Sequence, residues 1–215
     1  ANQGGSHFQL AEIGLSGIAL DKAAPTPANY RRALALATGL HTVTFLSGGV
    51  TYTRETFASQ PDQVIVMRLT ADKPGALTGT VKLTGTHKES ARSEKDDLTF
   101  EGCLPNGLAY AAAVRVTAEG GQAAGADGLC RFAQCDALTL ALAAATGYSP
   151  DYARKWKGEP PAPLVLEQVK RAGAKSFAAL KQAHLVDIAS FMNRMSLDLG
   201  ATVPAQRERP TDERL

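Results

Sequence analysis

The sequence is short of aromatic residues, of cysteine and of charge of one sign, and each shortage weighs against a class of function. Phe, Trp and Tyr make up 6% of the 215 residues, with a single tryptophan at Trp156. That is thin for a surface paved with aromatic sugar platforms. Three cysteines, Cys103, Cys130 and Cys135, form an odd set that argues against a disulfide framework. Their spacing is not a zinc pattern, which pairs C-x2-4-C with further Cys or His. A Cys130–Cys135 bridge stays open in an oxidising compartment. Acids and bases are interspersed and nearly cancel, leaving a formal net charge of +2, so no basic footprint for nucleic acid is present. No apolar run approaches the roughly 18 residues of a membrane span. The opening ANQGGSHFQL lacks the charged and apolar regions of a signal peptide. Removal of a signal and a start inside a longer protein both fit.

The familiar constellations of catalysis are also missing. His7, His41, His87 and His184 are scattered, with no HxxxH or HxH pair, so neither a metal set nor a cofactor is expected. No GxSxG elbow occurs, and no GxGxxG or Walker pattern follows a strand and opens a helix. Lys88–Asp97, KESARSEKDD, reads as a charged surface loop.

What is present changes style near residue 149. Before it, short β-branched or aromatic runs alternate with Gly, Pro, Asn and Asp. Strands are expected at Phe8–Leu20, Tyr30–Leu36, Leu40–Leu46, Val50–Phe57, Gln63–Ala71, Leu77–Thr84, Leu98–Glu101, Leu108–Ala118, Gly128–Gln134 and Ala137–Ala144. Ser47-Gly48-Gly49 reads as a tight hairpin and Ala118–Gly128 as a hairpin with a longer loop. The Ala-rich run from 137 has helical propensity, but it is short and bounded by turn signals, so it reads as a strand. Many short strands with few helices between them give a mainly β fold, an antiparallel β-sandwich of the super-sandwich type. A two-helix linker is expected to follow.

The expected divisions are a β-sandwich over 1–149, a Pro-rich connector over 150–163, linker helices over 164–195 and an extended tail over 196–215. In the helices, Leu166, Val169 and Lys170 share one face, and Phe177, Leu180, His184, Ile188 and Phe191 recur at spacings of three and four. Gly173 divides the two. Two such helices form no core alone, so their apolar stripe must cover the sheet or a further domain.

Three spots carry chemical interest. Glu55 is either a hydrolase carboxylate or a charged rung of the sheet. Alternation along a strand sends Arg54 and Glu55 to opposite faces, and no second carboxylate recognisably completes an acid/base pair; an interstrand or interface ion pair is the plainer reading. His184 precedes Asp187 by three residues on one helix face, which suits a buried structural contact or part of an active-site wall. Trp156, among Arg154, Lys155 and Lys157, is a sugar platform or a packing residue against a neighbouring domain. A non-catalytic carbohydrate-binding module would use Trp156 or a surface tyrosine such as Tyr110, and a protein-interaction sandwich would use neither.

Longer stretches carry a resemblance. Tyr30, Arg32, Leu34 and Leu36, then Val50, Tyr52, Arg54, Glu55, Phe57 and Ser59, then Pro61, Asp62 and Val64 follow one another as in the N-terminal β-domain of glycoside hydrolase family 95, the α-L-fucosidase family. HFQLAEIGL, LAYAAAVRVTAEGG and CDALTLALAAATGY are similar to further strands of that domain. Leu180, His184, Asp187, Phe191 and Arg194 resemble its linker helices, and PTDERL the segment before its catalytic barrel.

The resemblance implies that the chemistry lies elsewhere. In that family a downstream (α/α)6 barrel supplies a glutamate general acid, with asparagines and an aspartate activating water, and hydrolyses terminal α-L-fucosyl or α-L-galactosyl linkages with inversion. No catalytic residue carries over to this sequence, no metal ligand is expected, and substrate-binding residues stay unassigned. The chain then looks like an interior slice of a bacterial-type fucosidase, inactive alone. Its partners would be the missing barrel of the same polypeptide and, through it, an oligosaccharide, with no nucleic acid or membrane partner and a homodimer left open. The resemblance places such an enzyme in the periplasm or outside the cell.

Overall fold

The computed structural model describes residues 19–20, 29–85, 87, 89–197, 200–207 and 209–213. Most of the expected Phe8–Leu20 strand lies outside them. The strands are β1 (Ala19–Leu20), β2 (Arg31–Ala35), β3 (Leu40–Ser47), β4 (Val50–Ser59), β5 (Val64–Ala71) and β6 (Leu77–Lys82). They continue as β7 (Arg92–Glu94), β8 (Asp97–Cys103), β9 (Ala109–Glu119), β10 (Gln122–Ala126), β11 (Leu129–Cys135) and β12 (Ala137–Thr146). The helices are α1 (Ala162–Gly173), α2 (Phe177–Met192) and the single turn α3 (Pro204–Arg207).

Two antiparallel sheets face each other. The larger runs β2-β3-β4-β5-β12-β9-β8-β7 and the smaller β1-β6-β11-β10. The core between them draws Tyr52, Met67, Leu69, Phe100, Val114, Val116, Leu138, Leu140 and Leu142 from the large sheet. Leu77, Val81, Cys130, Phe132 and Cys135 come from the small one. The fold is the mainly β sandwich followed by helices that the sequence implies.

The helices add a third layer on the outer face of the large sheet. Val165, Val169 and Ala172 of α1 and Leu180 of α2 pack on Phe57, Val64, Val66, Ala111, Ala113, Ala141 and Ala143. This explains the Ala-rich β12. Its Leu138, Leu140 and Leu142 point into the sandwich, while Ala141 and Ala143 point at the helices. The period of two, large residue then small, overrides the helical propensity of alanine. Strands buried on both faces read as near-continuous apolar runs, as LTLALAAA does.

Turn chemistry fixes the registers. Gly48 and Gly49, at φ +58° and +72°, form the two-residue link between Ser47 and Val50, where primed turns demand positive φ. The stretch 118–128 is more structured than the expected long loop. Gly120-Gly121 carries the chain from the large sheet to the small one, β10 follows, and Asp127-Gly128 makes the tight β10–β11 hairpin. The loop expected at 88–97 likewise contains strand β7, hairpinned onto β8 with Glu94 opposite Asp97. Charge on an edge strand is compatible with pairing, which is why composition hid it. In the tail, 196–215 is not wholly extended: besides α3 it holds a 3-10 turn at Thr211–Glu213, and Pro204 presets the first helical φ.

Two helix details differ from expectation. The buried stripe of α1 is Val165, Val169 and Ala172; Leu166 is half-buried and Lys170 exposed. Gly173 does not end α1 through a left-handed turn. It is the last residue of α1, so the break between the helices does fall there, and a Cβ on it would overlap Cδ of Arg115, whose guanidinium is held by Asp97 at 2.7 Å through two bonds. Gly173 is thus a close-approach residue. Alanine normally stabilises a helix over glycine by about 1 kcal/mol, but Gly173→Ala must displace a pinned side chain, an overpacking cost of about 1–3 kcal/mol. The expected outcome is a lower denaturant midpoint for Gly173→Ala; an unchanged or raised midpoint would show that Arg115 moves aside freely.

Candidate functional site

The strongest convergence of charged side chains is at the seam between the large sheet and the two helices. Asp62, in the β4–β5 turn, is buried; its carboxylate accepts from Ser59 Oγ at 2.7 Å and from Lys175 Nζ at 2.5 Å. Lys175 sits in the α1–α2 corner, so the pair ties that corner to the sheet. One turn on, Lys181 of α2 donates to Glu55 at 2.6 Å. Arg68 forms a two-pronged pair with Glu119 at 2.5 and 2.7 Å and lies 4.9 Å from the ring centroid of Phe177. The hydrogen bond to Glu119 raises the Arg68 pKa, burial opposes it, and the same bond lowers that of Glu119.

This settles the first spot of chemical interest. Arg54 and Glu55 do point to opposite faces. Glu55 meets α2, whereas Arg54 Nε is buried without a hydrogen-bond partner among the described residues. Glu55 is an interface ion-pair residue, as the plainer reading had it. Its partner Lys181 is 126 residues away in sequence, and no local pattern announces it.

His184 and Asp187 do not form the expected contact with each other. His184 is buried, stacks on Phe57 at 4.8 Å and bonds through Nε2 to the Thr38 carbonyl at 2.8 Å. The helix turns the imidazole toward the β2–β3 connection, and the sheet supplies a nearer acceptor than Asp187. Its role is structural, holding α2 against that turn.

Tyr110, expected at the surface in the carbohydrate-module reading, is instead buried in the sandwich. Its hydroxyl donates to Glu89, whose side chain is also buried and accepts from the His87 backbone N–H at 2.9 Å. Burial, then the bond to Glu89, pushes the Tyr110 phenol up to about 12. Burial also pushes Glu89 upward, but the bonds from Tyr110 and from the backbone, with the charge of His87, outweigh it and hold the carboxyl below the usual carboxylate range. Glu89 and Asp97, both drawn from a stretch that reads as a solvated loop, are interior anchors; Asp97 takes Arg115.

Trp156 is half-exposed, near-parallel to Tyr148 at 6.3 Å between centroids, with Tyr152 edge-on at 6.0 Å. Cys103, Cys130 and Cys135 are free thiols. Among the described residues, no group of three or more His, Cys, Asp or Glu could hold a metal ion. An open cavity of about 360 Å³ lies between β8, β9 and the start of α1, lined by Phe100, Ala111, Pro163 and Val165. Its charged rim, Arg92 and Glu101, pairs with itself at 3.4 Å. The arrangement suits bracing, because Asp62, Asp97 and Glu89 are each neutralised or hydrogen-bonded in place.

Two outcomes follow for stability. Lys175→Ala leaves Asp62 buried beside Ser59 alone and is expected to cost about 3 kcal/mol by urea denaturation, while Lys181→Ala, at a half-exposed pair, costs at most about 1 kcal/mol. Equal losses would refute the ranking. For Glu89, a folded pKa below the unfolded one means that its contribution is full above the unfolded value and is lost as pH falls through the folded value. Tyr110→Phe removes a donor, so the folded pKa of Glu89 rises and acid unfolding, followed by circular dichroism, begins at higher pH than in the parent.

Residues 2–151 match the model of the family described as glycosyl hydrolase family 65, N-terminal domain. The chain is 27% identical to alpha-L-fucosidase 2 of Arabidopsis thaliana over 82% of its length, and 27% identical to probable alpha-fucosidase A of Aspergillus oryzae over 92%. The Aspergillus niger protein of the same description is 28% identical over 86%. The chain spans 24%, 29% and 25% of those relatives. A putative kojibiose phosphorylase from human microbiome superposes with a TM-score of 0.48 at 12% identity, over 75% of this chain and 24% of that one. With the match running across the whole sandwich, the chain belongs to the glycosyl hydrolase family 65 N-terminal domain family.

Proposed function

We propose that this chain is the sandwich and linker portion of an α-L-fucosidase of the glycoside hydrolase family 95 type, bracing a catalytic barrel supplied by the longer protein. The observation that carries this reading is the apolar surface left open along α2 and at its C-terminal end. Leu180 and His184 face the sheet, yet Val186, Phe191 and Met192 on the same helix, and Met195 just beyond it, are left exposed. Exposed apolar side chains on a helix whose other apolar residues are packed mark a surface for a further layer, and among the described residues nothing covers them. The α-fucosidase names of the relatives, each about four times as long as the stretch they share with the chain, support a glycosidase as the source of the second layer.

In this reading the barrel performs the hydrolysis of terminal α-L-fucosyl, or α-L-galactosyl, linkages with inversion, and oligosaccharide reaches the chain through that domain. The Glu55–Lys181 and Asp62–Lys175 pairs hold α2 in the posture the barrel requires. A periplasmic or secreted enzyme fits the same reading. The test is direct. The longer open reading frame should release fucose from 4-nitrophenyl α-L-fucoside, with β-L-fucose as the first anomer seen by NMR, while purified 1–215 releases none. Fucose release by 1–215, or an active long form that gives α-L-fucose first, would refute it.

A further inference from the structure

Among the described residues, aromatic rings gather in the open at one place that the helix–sheet seam leaves unused. Tyr148, Tyr152 and Trp156 are 57%, 81% and 47% exposed. A sequence with so few aromatics places three of them on one ten-residue loop, next to the end of β12. The rings of Tyr148 and Trp156 are only 5° from parallel. Their 6.3 Å centroid separation exceeds the contact thickness of two rings, about 3.5 Å. The rings are therefore not in face-to-face contact, and both remain about half open to solvent. Tyr152 stands nearly perpendicular, at 75°, and closes one side.

The loop is held in this form before anything binds. Ser149 N–H donates to the Trp156 carbonyl at 3.1 Å, Trp156 N–H to the Asp151 carbonyl at 2.9 Å and Lys155 N–H to the Tyr152 carbonyl at 3.0 Å. The Asp151 carboxylate accepts from Ala153 N–H at 2.8 Å, and Arg154 pairs with Glu159 at 3.2 Å. Lys155 and Trp156 are both left-handed, at φ +54° and +64°. Two consecutive residues with Cβ atoms in that region are unfavourable, and such backbone is retained where the surroundings enforce it. Here the enforced conformation presents Trp156 outward.

We propose that Tyr148–Lys157 is a carbohydrate-binding shelf that takes a pyranose ring of a neutral oligosaccharide, outside any catalytic barrel. The apolar C–H face of a pyranose matches an open aromatic ring, and its hydroxyls need donors and acceptors at the edges. Tyr hydroxyls, the indole N–H and the exposed Lys155 supply them. The exposed end of α2, with Phe191, Met192 and Met195, carries no such group of stacked rings and suits protein instead. A preformed shelf loses little freedom on binding. The inference rests on the glycosidase reading for its choice of ligand class.

Trp156 is the only tryptophan, so indole emission reports on the shelf alone. The experiment titrates the 1–215 chain with 2′-fucosyllactose and, separately, maltohexaose, each to about 20 mM, the range in which one stacked ring binds. A saturable emission change with either sugar is expected, weakened about tenfold in Tyr152→Ala with an unchanged melting temperature. Calorimetry on Trp156→Ala should show the same loss. Flat emission with both sugars, or binding indifferent to both substitutions, overturns the proposal. A flat titration beside a long form that cleaves fucosides removes the shelf and keeps the fucosidase; binding beside a long form inert to fucosides does the reverse.

Discussion

Burial of the middle of the large sheet on both faces is the constraint on which the rest depends. β5, β12 and β9 form that middle with apolar side chains on each side, so their residues must be sized for the layer they meet. Toward the small sheet, Leu138, Leu140, Leu142, Val114 and Val116 interdigitate with Leu77, Val81 and Phe132. Toward the helices, Ala111, Ala113, Ala141 and Ala143 keep the surface low, and Val165 and Val169 of α1 settle directly on it. Packing at near-crystalline density leaves little tolerance for a change of volume on either side. Gly173 belongs to the same logic, since it lets α1 ride over Arg115.

Polar contacts then decide where the helices stop. Dispersion alone lets a helix slide along an alanine-rich surface, whereas Asp62–Lys175, Glu55–Lys181 and His184 with the Thr38 carbonyl each define one position. These contacts have unequal worth. The Asp62 carboxylate is buried and hydrogen-bonded twice, whereas Glu55 and Lys181 keep access to water, and exposure weakens an ion pair. The deep pair lies at the α1–α2 corner, so the corner is fixed more firmly than the far end of α2, whose last turn bears exposed Phe191 and Met192.

Much of this was legible in the sequence where local patterns decide. Gly48-Gly49, the alternation of Val50 to Phe57 and the Leu/Ala period of β12 each follow from backbone geometry and one-face burial. What escaped reading depends on partners far along the chain. Nothing near Glu55 announces Lys181. His184 took the Thr38 carbonyl rather than Asp187 because β2 and β3 place that acceptor against α2, a fact of topology. Composition misled at 88–97, where Glu89 and Asp97 look solvated yet meet Tyr110 and Arg115 inside. Tyr110 was misjudged for the same reason: its strand alternates, but which face meets the small sheet is fixed only once the sheets are paired. The aromatic loop was visible as single residues; their stacking was not.

The register of β11 against β6 has its own consequence. Cys130 lies opposite Val81 and Cys135 opposite Leu77, with an irregularity between Phe132 and Cys135 and Gln134 at φ +54°. Five steps on one strand meet four on the other, as in a bulge that inserts one residue. Residues five apart on a regular strand face opposite ways; here both sulfurs face inward. Burial holds the Cys130 thiol up at about 11 and shifts Cys135 upward too, and a protonated, enclosed thiol is a poor nucleophile and a poor target for oxidants. One inserted residue thus encloses both Cys130 and Cys135 in the sandwich core as separate thiols, while Cys103 stays exposed.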